Sequence, residues 1–158
     1  MLEKLFIIGL AFGWNLASAR AQDKAADLAI IVGKNSALDS VTSDELAKIL
    51  RAEKAKGSDG VRFVITTREA GPERIAALAA ICKMEEADYS KYFLQATFTG
   101  QVPAAPRTLS GAATAKQFVS VTPGVVGYVR GSDVDDSVKA LKVDGKSPGE
   151  AGYALKVK

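Results

Sequence analysis

Eight consecutive residues, Thr122-Pro123-Gly124-Val125-Val126-Gly127-Tyr128-Val129, constrain this chain more than any others. Pro123 presets φ for the first central position of a turn. Gly124 supplies the positive φ that the second central position of a type II turn requires. The apolar run that follows carries no charge and predicts an interior strand. Gly127, in the middle of that run, marks a point where a backbone or a ligand comes close.

Upstream of this strand the chain alternates strand and helix signals. That order predicts an α/β sandwich with a mainly parallel sheet. Leu28 to Val32 is a fully apolar strand core. Thr42 and Glu45 have capping-box spacing, and Val41 and Leu46 can staple the same helix start. The helix they open carries Leu46, Ile49 and Leu50 on one face and is expected to stop near Lys56-Gly57. Val61 to Thr66 reads as the second strand. Gly71-Pro72 opens a helix with Pro72 at its tolerated first position, and Ile75, Leu78 and Cys82 line one face of it. Further helices are expected over about Ala87 to Thr97, with Tyr89, Tyr92 and Phe93, and over about Gly111 to Val121, with Ala115, Phe118 and Val119 inward. Strands follow at Val125 to Arg130 and Val138 to Val143.

Composition narrows the function classes. At 158 residues there is room for one domain with a substantial core. Net charge is +3, and no basic cluster is interleaved with aromatics, so nucleic-acid binding is not expected. Histidine is absent, which removes the usual general base at neutral pH and the commonest metal ligand. The single cysteine, Cys82, excludes an internal disulfide and a multi-cysteine zinc site. No catalytic set, metal site or cofactor is therefore expected. Asp133, Asp135 and Asp136 lack the glycine and distal glutamate of a calcium loop and read as a solvated turn.

The first 21 residues read as a signal peptide. Lys4 precedes an apolar run from Leu5 to Leu16, and Ala19-Arg20-Ala21 is a small-x-small cleavage site. The expectation is a mature domain over residues 22–158 that is periplasmic or secreted. An uncleaved membrane anchor is the alternative.

Several segments together resemble the phosphate-type periplasmic solute-binding proteins of ABC transporters. Phe98-Thr99-Gly100 with Thr122 to Val129 is similar to that family's F-[ST]-G … T-P-G-[AV]-[IV]-G-Y-[VI] arrangement. Asp27 to Lys34 looks like its first strand in this part of the chain. Ser43-Asp44-Glu45-Leu46 through Ile49 resembles its S-x-x-E-L-x-x-I-F helix. Ser58-Asp59-Gly60 resembles its W-x-D-G turn without the tryptophan. Val143-Asp144-Gly145, Pro148 and Tyr153 resemble its closing V-D-G-x-x-P … Y-P-L. The resemblance implies a single periplasmic-binding-protein-like lobe, α/β, with a mainly parallel sheet flanked by helices. It also implies a non-catalytic, exported solute-binding protein for phosphate or a similar small oxyanion. Full members hold ligand between two lobes, so a membrane transporter or a second copy of the chain is the implied partner. A module that keeps the fold without the ligand is the alternative.

The resemblance also implies where a ligand would sit. The family's loop, similar to R-x-x-x-S-G-T, follows the strand that here ends at Thr66-Thr67. Arg68 stands at the arginine and Gly71 at the glycine, while Ala70 and Pro72 replace the hydroxyl residues. Arg68 is either an anion-gripping fork or a surface ion-pair partner of Glu69 or Glu73. Thr66 and Thr67 are candidate hydroxyl donors or simply residues that suit a strand end. Asn35 and Ser36 follow the first strand, at the carboxyl end where ligands of open α/β sheets bind, or else serve the turn there. Tyr128 is expected in the core with its hydroxyl at the surface. Cys82 is expected to be an inert buried thiol.

Overall fold

The computed structural model describes residues 26–158. The expected signal peptide, its cleavage site and the start of the mature domain lie outside the described residues. Among the described residues no helix is long and apolar enough to cross a membrane.

Among the described residues, seven strands and four α-helices follow one another. They are β1 (Leu28–Gly33), β2 (Ser40–Val41), α1 (Ser43–Leu50), β3 (Val64–Arg68), α2 (Pro72–Ala77), α3 (Glu86–Phe98), β4 (Arg107–Leu109), α4 (Ala112–Val121), β5 (Val125–Arg130), β6 (Val138–Ala140) and β7 (Lys142–Val143). A π-helical turn, Leu78–Cys82, continues α2. The main sheet has the order β4-β3-β5-β1-β6, and β2 and β7 form a separate parallel pair. β3 pairs in parallel with both β4 and β5, whereas β1 pairs antiparallel with β5 and β6. Four of the five strands therefore run one way and β1 alone runs the other.

Alternation along the strands builds two cores. Leu28, Ile30 and Val32 of β1 and Val126 and Tyr128 of β5 face a layer made by α1, α2, its π-helical turn and α3. Ala29 and Ile31 of β1 and Val125 and Val129 of β5 face α4 through Ala115 and Val119. Full burial of a side chain such as Ile30 or Ile31 contributes about 1.5–3 kcal/mol, so β1 anchors both layers at once. Gly127 is where α4 comes close. A Cβ there would lie 3.2 Å from Val119 Cγ2 and 3.1 Å from Thr66 Oγ1.

The type II turn forms as expected. Gly124 has φ +79°, and Thr122 O accepts from Val125 N–H at 3.5 Å. A Cβ on Gly124 would meet Arg62 O at 2.1 Å, because the turn packs against the chain entering β3. Thr42 caps α1 through Oγ1 to Glu45 N–H at 3.1 Å, but the Glu45 carboxylate pairs with Lys54 rather than returning to the cap.

Four expectations are corrected. α1 ends at Leu50, well before Lys56-Gly57, because the chain turns back through Ala52 in the left-handed region at φ 60°. The second strand is shifted toward Arg68, with Arg62 making only a bridge to Lys56. Ile75 is exposed while Ala77, Leu78, Ile81 and Cys82 are buried: the π-helical turn Leu78–Cys82 breaks the 3.6-residue spacing that would put Ile75 on the face of Cys82. Val138 to Val143 is two strands in two sheets, with the buried Leu141 at the crossover.

Candidate functional site

The direction of β1 divides the sequence-derived candidates into two groups. Arg68 ends β3, and Gly71 begins the turn into α2 just beyond it. Arg130 ends the parallel neighbour β5 at the same edge, opposite Leu28 at the start of β1. Asn35 and Ser36 follow the end of β1, where Gly33 pairs with Val138 at the start of β6. They therefore lie at the other edge, about a strand's length away, roughly 17 Å. Applied to β1, the rule that ligands sit at the carboxyl ends of strands points to the opposite edge from the one it gives for β3, because β1 is antiparallel.

At the Arg68 edge the two threonines are occupied within the fold. Thr66 Oγ1 donates to Val126 O at 2.9 Å. Thr67 Oγ1 lies 3.1 Å from the Tyr128 hydroxyl, which also accepts from Arg68 N–H at 3.1 Å. The Tyr128 hydroxyl is thus buried and bonded across β5 and β3, not at the surface, and burial pushes its pKa up. This lock fixes the backbone from which the Arg68 side chain departs.

The charges at this edge are sorted among α2, α3 and the strands. Arg74 donates through Nη1 to Arg68 O at 3.0 Å and pairs through Nε with Glu86 at 2.8 Å, tying α2 to β3 and α3. Glu73 pairs with Arg130, Oε1 to Nε at 2.5 Å. Glu73 folds back over the start of α2, with Oε2 3.7 Å from where a Gly71 side chain would begin. Burial raises the Glu73 pKa, but the Arg130 hydrogen bond, its own backbone N–H and the charges of Arg130 and Arg68 outweigh that and leave it lowered. Arg68 is in no ion pair among the described residues, so the surface pair with Glu69 or Glu73 does not form. Its Nε is buried and without a hydrogen-bond partner. Pro72 at the first helical position offers no N–H, and Gly71 provides no side-chain cap.

The Glu73–Arg130 pair was not anticipated from the sequence. Its signal is topological: Arg130 ends a strand beside the one that Arg68 ends, and only the strand order makes them neighbours.

The opposite edge has space. A cavity of about 420 Å³ lies between the β1 exit, the Gly57-to-Phe63 segment and the end of α4 with its turn. Asn35 and Ser36 line it, with Lys34, Asp59, Val121 and Pro123. Ser36 Oγ accepts from Leu38 N–H at 3.2 Å, and its carbonyl accepts from Lys139 at 2.7 Å, so the residue is committed to the turn. Among the described residues no group of His, Cys, Asp and Glu side chains is arranged to hold a metal ion. Cys82 is buried, and burial pushes its thiol up to about 11.

No family model and no curated protein matches the chain. Solved structures do resemble it. One is a phosphate ABC transporter substrate-binding protein with bound phosphate from Clostridium perfringens, at 22% identity over 80% of this chain and 49% of that one, with TM-score 0.63. A second is an ABC-type phosphate transport receptor from Vibrio cholerae, at 17% identity over 84% of this chain and 54% of that one, with TM-score 0.66. A third is PstS from Borrelia burgdorferi, at 16% identity over 84% of this chain and 55% of that one, with TM-score 0.62. At these identities the likeness is one of fold, and the chain spans about half the length of each protein. The mainly parallel sheet flanked by helices is accordingly the fold of a periplasmic-binding-protein-like lobe.

Proposed function

We propose that the chain is an exported, non-catalytic solute-binding-like protein whose ligand class is a small oxyanion such as phosphate. The ligand would sit at the edge where β3 and β5 end. The observation that carries this reading is Arg68: it ends a strand, is in no ion pair among the described residues, and keeps a buried Nε without a partner. An arginine fork left in this state favours an oxyanion that satisfies it bidentately. The fold likeness to proteins described as phosphate-binding supports the ligand class. One lobe covers only one side of a ligand, so the missing wall would come from a membrane transporter or from a second copy of the chain.

A second reading is favoured by one arrangement. The Glu73 carboxylate lies beside Arg68 on Arg130, and the hydroxyls of Thr66 and Thr67 are engaged within the fold. An interaction module that has lost its ligand would show the same features. Calorimetric titration of residues 22–158 with phosphate and sulfate separates the two. The solute-binding reading expects weak binding, of order 1 mM, that falls at least about tenfold in Arg68→Ala while the unfolding midpoint is unchanged. The absence of heat at millimolar phosphate, in wild type and in carboxylate-free variants at position 73, supports the module.

A further inference from the structure

We propose that Glu73 is the selectivity determinant of this edge: its carboxylate is a tethered resident competitor that excludes singly charged anions and yields only to multiply charged oxyanions. The inference rests on the solute-binding reading above and adds to it a residue that sets which anions are admitted. Three observations carry it. Glu73 Oε1 is 2.5 Å from Arg130 Nε, and its side chain is only 18% exposed, so the pair is partly withdrawn from water. Its Oε2 lies over Gly71, close enough that a Cβ there would be 3.7 Å away, at the beginning of α2. Arg68 ends the strand beside the one that Arg130 ends, pairs with no carboxylate among the described residues, and keeps a buried Nε without a hydrogen-bond partner.

A carboxylate attached to the backbone two residues from Gly71 has an effective concentration in the millimolar range or above. A free carboxylate or a halide offers Arg130 no more than Glu73 already does, and it also loses translational freedom. It cannot displace Glu73 at ordinary concentrations. A doubly charged oxyanion offers more acceptor oxygens and twice the charge. Glu73 would then swing out toward solvent. The exposed flank of Arg130, 36% accessible, leaves room for that exchange.

The test titrates wild type, Glu73→Ala, Glu73→Gln and a control at the other edge, Asp59→Asn, with phosphate, sulfate and acetate. Asp59→Asn makes the same change in net charge far from Arg68 and keeps an acceptor for Val61 N–H. Glu73→Gln preserves side-chain shape if Glu73→Ala perturbs folding, and circular dichroism melts report on both. Wild type should bind the dianions weakly and acetate not at all. Removing the carboxylate should tighten phosphate at least about tenfold and make acetate binding measurable, while Asp59→Asn behaves as wild type. Wild-type binding of phosphate that the position-73 variants leave unchanged would overturn this inference and leave the solute-binding reading standing. Silence from every variant with every anion would overturn both.

Discussion

At one edge of the sheet, where β3 and β5 end, charge meets charge. Arg74 holds Glu86, Arg130 holds Glu73, and the Arg68 side chain is in no ion pair among the described residues. At the other edge, where β1 ends, loops surround a cavity of about 420 Å³, and the polar groups of Ser36 serve the turn. The first edge concentrates arginine side chains. The second has volume and one lysine, Lys34, with no ion pair among the described residues. Cavity size and recognition chemistry are thus separated by the length of the strands. The proposed anion site rests on the arginines and the tethered carboxylate rather than on the cavity.

Substitutions at each edge should sharpen this contrast, beginning with the most damaging. Gly124→Ala places a Cβ 2.1 Å from Arg62 O at a backbone φ of +79°. It should cost about 3 kcal/mol in urea unfolding, combining strain with displacement of the chain that enters β3. The cavity edge would be distorted while any anion binding at Arg68 persists. Tyr128→Phe acts at the other edge. It keeps the buried ring but leaves Arg68 N–H and Thr67 Oγ1 without their partner, and should cost about 1–2 kcal/mol. Because the lock fixes the backbone under Arg68, it should also weaken phosphate binding, whereas Gly124→Ala should not.

Acid titration of stability gives a smaller effect with a defined sign. The Glu73 pKa is lowered in the folded protein, so the unfolded chain binds more protons as pH falls through the glutamate range near about 4.3. The pair's stabilisation is present above that range and lost as pH falls through the lowered value. Glu73→Gln should flatten this part of the acid limb. A variant whose acid limb matches wild type would remove the Arg130 pair from the account. Smallest of all, Ser36→Ala removes one turn hydrogen bond at a half-buried site and should shift stability by about 0.5 kcal/mol, with no change in phosphate affinity.

How much of this was legible in the sequence differs between elements for physical reasons. β5 and its turn were readable to the residue, because Pro123 and Gly124 each have a steric reason for their place. The cap of α1 was readable from Thr42, but its end was not: Ala52 adopts a positive φ that its residue type does not advertise. Ile75 looked inward because seven residues separate it from Cys82, yet the buried stripe is set by Ala77 and Leu78 against the sheet. Most consequential was β1. Its apolar run announces a strand but carries no mark of direction, and the family resemblance supplied none. Asn35 and Ser36 were therefore grouped with Arg68, which the antiparallel pairing of β1 with β5 separates. The Glu73–Arg130 pair, 57 residues apart in sequence, depends on the same strand order.

Amide chemical-shift mapping of isotopically labelled residues 22–158 during a phosphate titration tests the separation of the two edges directly. Saturable shifts should concentrate at Arg68, Gly71, Glu73 and Arg130, with Asn35, Ser36 and Thr122 silent. Shifts concentrated at Asn35, Ser36 and Thr122, with the Arg68 edge unmoved, would place anion recognition in the cavity and contradict the account.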